Sequence, residues 1–177
     1  LADGHVSEQP LYRSSLFSWS SSNRVLSTLE DLEAVAVDEL GHVYAITSHS
    51  RKESGKRADQ REQLVRFGLE GEKIIDFQVV RGLRKKIAKR HASLKDSTKI
   101  RDVKDEGGFN IEGLSFDADK QNLLIGLRSP LVGSNSIIAV LENPRAVFAH
   151  DEKPRISDQL IELDLAGGGI RAICYDP

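Results

Sequence analysis

Apolar and polar positions alternate along this chain in short runs, and one eight-residue pattern recurs. Asn110-Ile111-Glu112-Gly113-Leu114-Ser115-Phe116-Asp117 reads polar, apolar, charged, small, apolar, small, aromatic, Asp. Asp31-Leu32-Glu33-Ala34-Val35-Ala36-Val37-Asp38 carries the same pattern 79 residues earlier. Gly169-Ile170-Arg171-Ala172-Ile173-Cys174-Tyr175-Asp176 carries it 59 residues later, with arginine in the glutamate place. Period-two alternation of this kind predicts strands, and the polar and glycine clusters between them predict turns.

After the first copy the pattern predicts strands at 43–47, 63–67 and 73–80, with a hairpin turn at Asp38–His42 and Gly41 free to take positive φ. After the second copy it predicts strands at 122–128, 136–141 and 159–165, with loops at 117–121 and 129–135. Upstream, residues 1–14 read as an N-terminal arm and Leu16–Ser20 as a strand. Between the repeats the period changes. Leu83, Ile87, Ala88 and Leu94 fall on one helical face, and Arg84, Lys85, Lys86, Lys89, Arg90 and Lys95 on the other, which predicts one inserted helix.

The expected fold is all-β: four-stranded antiparallel meanders repeated as in a β-propeller, about two blades plus parts of two others. The blades span 31–80 and 110–165, with a helical insertion at 82–108 and the start of a further blade at 169–177, inside a partial propeller domain covering 15–177. An open antiparallel sheet or a sandwich is the plainer alternative. Propellers close with ~4–8 blades, so the missing blades are expected from the rest of a longer chain or from another chain. The chain starts at Leu1 and contains no methionine, which also suggests part of a longer protein.

Strand parity places the charged positions. Each inner strand begins at the face called here the top, and the loop after each second strand returns to it. Glu33, Glu112 and Arg171 then lie on one ring about the axis, with Arg51 and Arg128 one step out. Such a ring is either an inter-blade ion-pair clamp or a site for a small anionic ligand or a protein partner. Asp38 and Asp117 fall on the opposite face and read as turn formers. Glu33 and Glu112 are also candidates for a divalent cation such as Ca²⁺, but that ion wants six to eight oxygens, so other groups would have to complete the set. His49, between Ser48 and Ser50, is a candidate general base.

Composition removes several classes. The formal charge of −2 gives no strong field toward nucleic acid or membrane. Arg84–Arg90 and Lys52–Arg61 lack interleaved aromatics, so they read as a solvated helix face and loop, and nucleic acid is not expected. Cys174 is the only cysteine, which excludes an intrachain disulfide and a cysteine metal cluster. The histidines show no metal-ligand spacing. No run approaches the ~20 apolar residues of a membrane span. Periplasmic, secreted and cytoplasmic locations all stay open. There is no G-x-S-x-G elbow, and Gly167-Gly168-Gly169 precedes no helix, so it reads as a sharp turn rather than a phosphate loop.

Taken together, Asp31–Ala34, Ser48–Arg51, Asn110–Leu114, Gly126–Pro130 and Leu163–Pro177 resemble the bacterial family catalogued as domain of unknown function 3616. The resemblance spans most of residues 30–177 and implies a β-propeller roughly twice this length. It brings no established activity. Ala34 stands where that family usually has glycine. The acidic inner-strand motif is also similar to that of phytase-like and esterase-like propeller domains, which implies a metal-dependent phosphoesterase or related hydrolase as an alternative function.

Overall fold

The structure is a computed structural model, and it describes residues 26–71, 73–103 and 106–176. The expected arm and the strand at Leu16–Ser20 lie outside these residues. The fold is all-β in its framework. The first sheet contains β1 (Leu32–Val37), β2 (Val43–Thr47), β3 (Gln63–Glu70) and β4 (Lys73–Arg81), in that order and antiparallel throughout. The second contains β5 (Asn110–Asp117), β6 (Asn122–Val132), β7 (Asn135–Leu141) and β8 (Ile161–Leu163), with the same order and sense. Two helices are added, α1 (Leu83–Arg90) between the sheets and α2 (Pro144–Ala149) between β7 and β8. No helix among the described residues is long and apolar enough to cross a membrane.

The aspartate closing each copy of the repeat forms the first turn of its sheet. Asp38 Oδ1 accepts the Leu40 and His42 backbone N–H groups at 3.0 and 2.9 Å, and Asp117 Oδ1 accepts that of Lys120 at 3.0 Å. These are local side-chain turns of the kind Asp favours. Asp38 does more than turn the chain. It is buried, its other oxygen receives the Tyr44 hydroxyl at 3.2 Å, and Arg145 Nε lies 3.6 Å away.

One core joins the two sheets. Ala36, Tyr44, Ile46 and Leu64 from the first sheet pack in a single cluster with Ile111, Leu114, Phe116, Leu123, Ile125, Leu127, Ile137, Ala139 and Leu141 from the second. Tyr44 stacks on Phe116 at 6.0 Å and meets the edge of Phe148 at 5.7 Å. Leu83 and Ile87 of α1 join this cluster with Leu94 and Phe109, and Val147 and Phe148 of α2 join it as well.

β1 and β5 lie side by side but belong to different sheets. Their alternation has a direction. In β1, Ala34 and Ala36 pair with Ile46 and Tyr44 and face the common core, while Val35 and Val37 face away. In β5 the large residues, Leu114 and Phe116, face that core, and the small ones, Gly113 and Ser115, face the other side. The third copy of the repeat then lies on that other side. Ile170 and Ile173 sit on Gly113, Ile170 sits on Gly126, and the Tyr175 backbone N–H reaches Ser115 Oγ at 2.9 Å. Each copy thus brings large residues onto the small residues of the copy before it. In the first copy the large positions have no such neighbour among the described residues: Leu32, Val35 and Val37 are 53%, 54% and 57% exposed.

Several details differ from the sequence expectation. The loop expected at 129–135 is largely strand, because β6 continues through a cis Ser129–Pro130 bond and returns after Gly133-Ser134. The inserted helix stops at Arg90, where His91 turns extended, and Ala92–Leu94 is a separate 3₁₀ turn. Arg84, expected on the solvated face, is buried because Glu62 receives its guanidinium at 3.0 and 3.1 Å. Residues 169–176 form no ladder with the described residues. Gly169 runs so close to the Arg128 carbonyl that no side chain fits there.

The seating of Ile170 gives a test. A Cβ on Gly126 would stand 2.6 Å from Ile170 Cγ2 and 3.3 Å from Gly113 Cα. In urea melts, Gly126→Ala is expected to lose about 1–3 kcal/mol by overpacking. Combined with Ile170→Ala, the loss is expected to be smaller than the sum of the two single losses, since the second change removes the obstructing atoms.

Candidate functional site

Two β-bulges build the centre of the site. The β1–β2 register shifts between Leu32 and Ala34, which leaves Glu33 as the extra residue. The β5–β6 register shifts between Ile111 and Gly113, which leaves Glu112 as the extra residue. A bulged residue loses its ladder partner and its side chain is re-aimed. Both glutamates therefore leave the alternation of their strands and reach the top end.

The loops there enclose a cleft of about 790 Å³. Glu33, Arg51, Glu112 and Arg128, four of the residues expected at the top, all line it. Asp31, Lys52, Arg61, Arg101 and Asn110 line it too and were not anticipated. One signal for Asn110 was present: it opens the second copy of the repeat where Asp31 opens the first. Arg101 lies on the charged stretch before β5, outside all three copies of the repeat, and no pattern marks it.

The two glutamates are in unlike states. Glu112 is buried, and its Oε1 receives Arg128 Nη1 at 2.7 Å and Asn110 Nδ2 at 3.0 Å. Arg171 Nη1 lies 3.8 Å from Oε2, but its side chain is 69% exposed and is not part of the cleft wall. Glu33 has no hydrogen bond or ion pair among the described residues. Burial pushes its carboxyl pKa up, and the charges of Asp31 and Glu112 push it further, against a smaller pull from Arg128 and Arg61. The difference has a local cause. Arg128 lies beside the second bulge, whereas Thr47, opposite the first, is turned to the Gln63 backbone as both donor and acceptor.

The cations divide in the same way. Arg61 pairs with Asp31 at 3.1 Å and with Glu30 at 3.6 Å, and Lys52 pairs with Glu30 at 2.9 Å. Arg51 has no carboxylate partner among the described residues; it donates to the Gly55 and Thr98 carbonyls at 3.0 and 3.5 Å. Burial, then the nearby charges of Arg57 and Arg101, lower its pKa from the ordinary arginine value. Arg101 likewise has no carboxylate partner among the described residues.

His49 stands apart from this cleft. It takes φ of 54°, and its side chain is 1% exposed. Nδ1 donates to the Thr47 carbonyl at 2.8 Å, and burial drives the pKa down to about 4, so the ring is neutral at neutral pH. Its walls are those of a small internal void shared with Arg84, Ser97 and Phe109. The imidazole does not line the space that Glu33 and Glu112 share. Among the described residues no group of three or more His, Cys, Asp or Glu is placed to hold a metal ion. With one oxygen of Glu112 held by Arg128 and Asn110, the two glutamates do not make a Ca²⁺ site by themselves.

No protein-family model matches this chain, and no curated protein matches it either.

The contrast between the glutamates is measurable. Removing the Glu33 charge relieves burial and repulsion, so Glu33→Gln is expected to be neutral or stabilising at pH 7, by up to about 1 kcal/mol. The sign follows from its raised pKa: the cost of the ionised form is present above that pKa and disappears as the wild-type carboxyl protonates on acidification. Glu112→Gln leaves Arg128 without its carboxylate and is expected to destabilise by about 1–3 kcal/mol. Denaturant melts of both variants at pH 7 and pH 4 check both signs.

Proposed function

We propose that this chain forms part of a β-propeller-type module that binds a small ligand bearing an anionic group in the top cleft. The observation that carries the binding reading is the cleft itself, where loops of both sheets converge on Arg51 and Arg101, two guanidinium groups with no carboxylate partner among the described residues. Uncompensated arginines in a concave site are suited to carboxylate or phosphate, which they meet with paired, charge-assisted hydrogen bonds.

The propeller reading, and with it the resemblance to the family of domain of unknown function 3616, is supported by the directional stacking of the three repeat copies. Large positions of one repeat copy rest on small positions of the copy before it, twice in succession. The exposed Leu32, Val35 and Val37 then mark the contact for a further blade, supplied by more of the same chain or by another.

A specific observation favours a second role for part of the ring. Glu112, held by Arg128 and Asn110 and approached by Arg171, is an inter-blade clamp that ties β5 and β6 to the segment after β8. Glu33 is left as the glutamate available to a ligand. The hydrolase alternative has less support, since His49 faces an internal void and no histidine among the described residues lines the cleft with the glutamates.

Binding is tested by calorimetric titration of the full chain with inorganic phosphate and with glutarate. Saturable binding of at least one is expected. Arg101→Ala is expected to weaken it about tenfold, equivalent to ~1.4 kcal/mol, with unchanged thermal stability. Absence of saturable binding by both anions overturns the reading. The architecture is tested by a crystal structure of the protein in its natural assembly. A sheet packed on Val35 and Val37 through small residues is expected there, and solvent at that face removes the propeller proposal.

A further inference from the structure

The cleft has two poles of opposite sign; after the internal pairs are formed, one carboxylate is left over at the acidic pole and two guanidinium groups at the basic pole. At the acidic pole, Asp31 is held by Arg61 and Ser50, and Glu112 by Arg128 and Asn110. Glu33 remains, with no partner among the described residues. Asn110 hydrogen-bonds Glu112, whose charge acts on Glu33; it is 6% exposed and lines the same cleft. Its Nδ2 is committed to Glu112, which fixes the amide orientation, and its Oδ1 is buried with no hydrogen-bond partner. A buried acceptor in that condition costs about 1–3 kcal/mol unless a donor reaches it. Glu33 and Asn110 Oδ1 together call for a cationic donor with several N–H groups.

At the basic pole, Arg51 and Arg101 are the groups left over. Arg51 is anchored by the Gly55 and Thr98 carbonyls, and its Nε is buried without a partner. A divalent metal suits the acidic pole poorly, since the described residues bring no third carboxylate or histidine into a coordinating group, and Arg61 and Arg128 stand close by. An ammonium group suits it better: it carries one charge and three donors, matching a carboxylate plus one amide oxygen. A ligand of one sign only would satisfy one pole and leave the other without a partner.

We infer that the cleft takes a zwitterion, a ligand with a primary ammonium held by Glu33 and Asn110 and a carboxylate or phosphate held by Arg51 and Arg101. This rests on the reading of the cleft as a ligand site and adds the cationic half of the ligand. A volume of about 790 Å³ exceeds what a single amino acid fills and admits an aminoacyl compound of peptide size.

The test compares free amines with their blocked forms on the full chain by calorimetry: L-glutamate, glycyl-L-glutamate and triglycine, each beside its N-acetylated counterpart, with glutarate and phosphate as amine-free anions. At least one free amine is expected to bind about tenfold or more tightly than its acetylated form. In Glu33→Gln that preference is expected to vanish while the affinity for the acetylated form stays the same. Arg101→Ala is expected to weaken free and acetylated forms by a similar factor, a readout that does not depend on the first variant. If acetylated and free forms bind alike, or if the preference survives Glu33→Gln, the zwitterion inference is overturned and anion binding stands. If glutarate or phosphate binds and no amine binds better, the inference is again overturned. If no probe binds at all, the ligand-site reading falls with it.

Discussion

The contact on which the rest depends is the seating of one inner strand on the next. Inner strands from different sheets share no ladder here, so side-chain size alone sets how near they come. Ala34 and Ala36 on β1 leave room for Leu114 and Phe116 on β5, and Gly113 and Gly126 leave room for Ile170 and Ile173. Close packing makes such an arrangement intolerant of an added methylene. It also brings the starts of β1 and β5 side by side at one end. The glutamates that the two bulges re-aim therefore line one cleft.

Two chemically identical side chains thereby stand in unlike surroundings. A buried carboxylate is tolerated when charge-assisted hydrogen bonds replace its water, and Glu112 has these from Arg128 and Asn110. Glu33 lacks them, because the position opposite its bulge is taken by Thr47, which serves the Gln63 backbone. Unpaired charge at a cleft is a common mark of sites where stability has been given up for binding. The neighbouring loop shows the complementary case: His49, at positive φ, is buried away from the cleft that the next two residues, Ser50 and Arg51, line.

Much of the framework was legible in the residues. The eight-residue repeat located both inner strands, its terminal aspartates located the turns, and period-two alternation gave the meander order of both sheets. The helical face of Leu83, Ile87 and Ala88 was equally clear. What stayed hidden depended on pairing across the fold. Ser129-Pro130 has loop composition, yet the chain continues as strand because Val132 finds Asn135 across a tight turn. Arg84 has a surface side chain's chemistry, yet Glu62, 22 residues earlier, draws it inward. Four of the five ring and near-ring residues, Glu33, Arg51, Glu112 and Arg128, could be named from parity. Their division into paired and unpaired groups could not, since it turns on which residue lies opposite each bulge.

The one-way order of large on small has a consequence for how such a chain can grow. β5 offers a small surface to the third copy and a large one to β1, so the two ends of the described array are unlike. A two-fold contact, which joins identical surfaces, would set large on large or small on small and pack badly. Only head-to-tail addition repeats the existing contact.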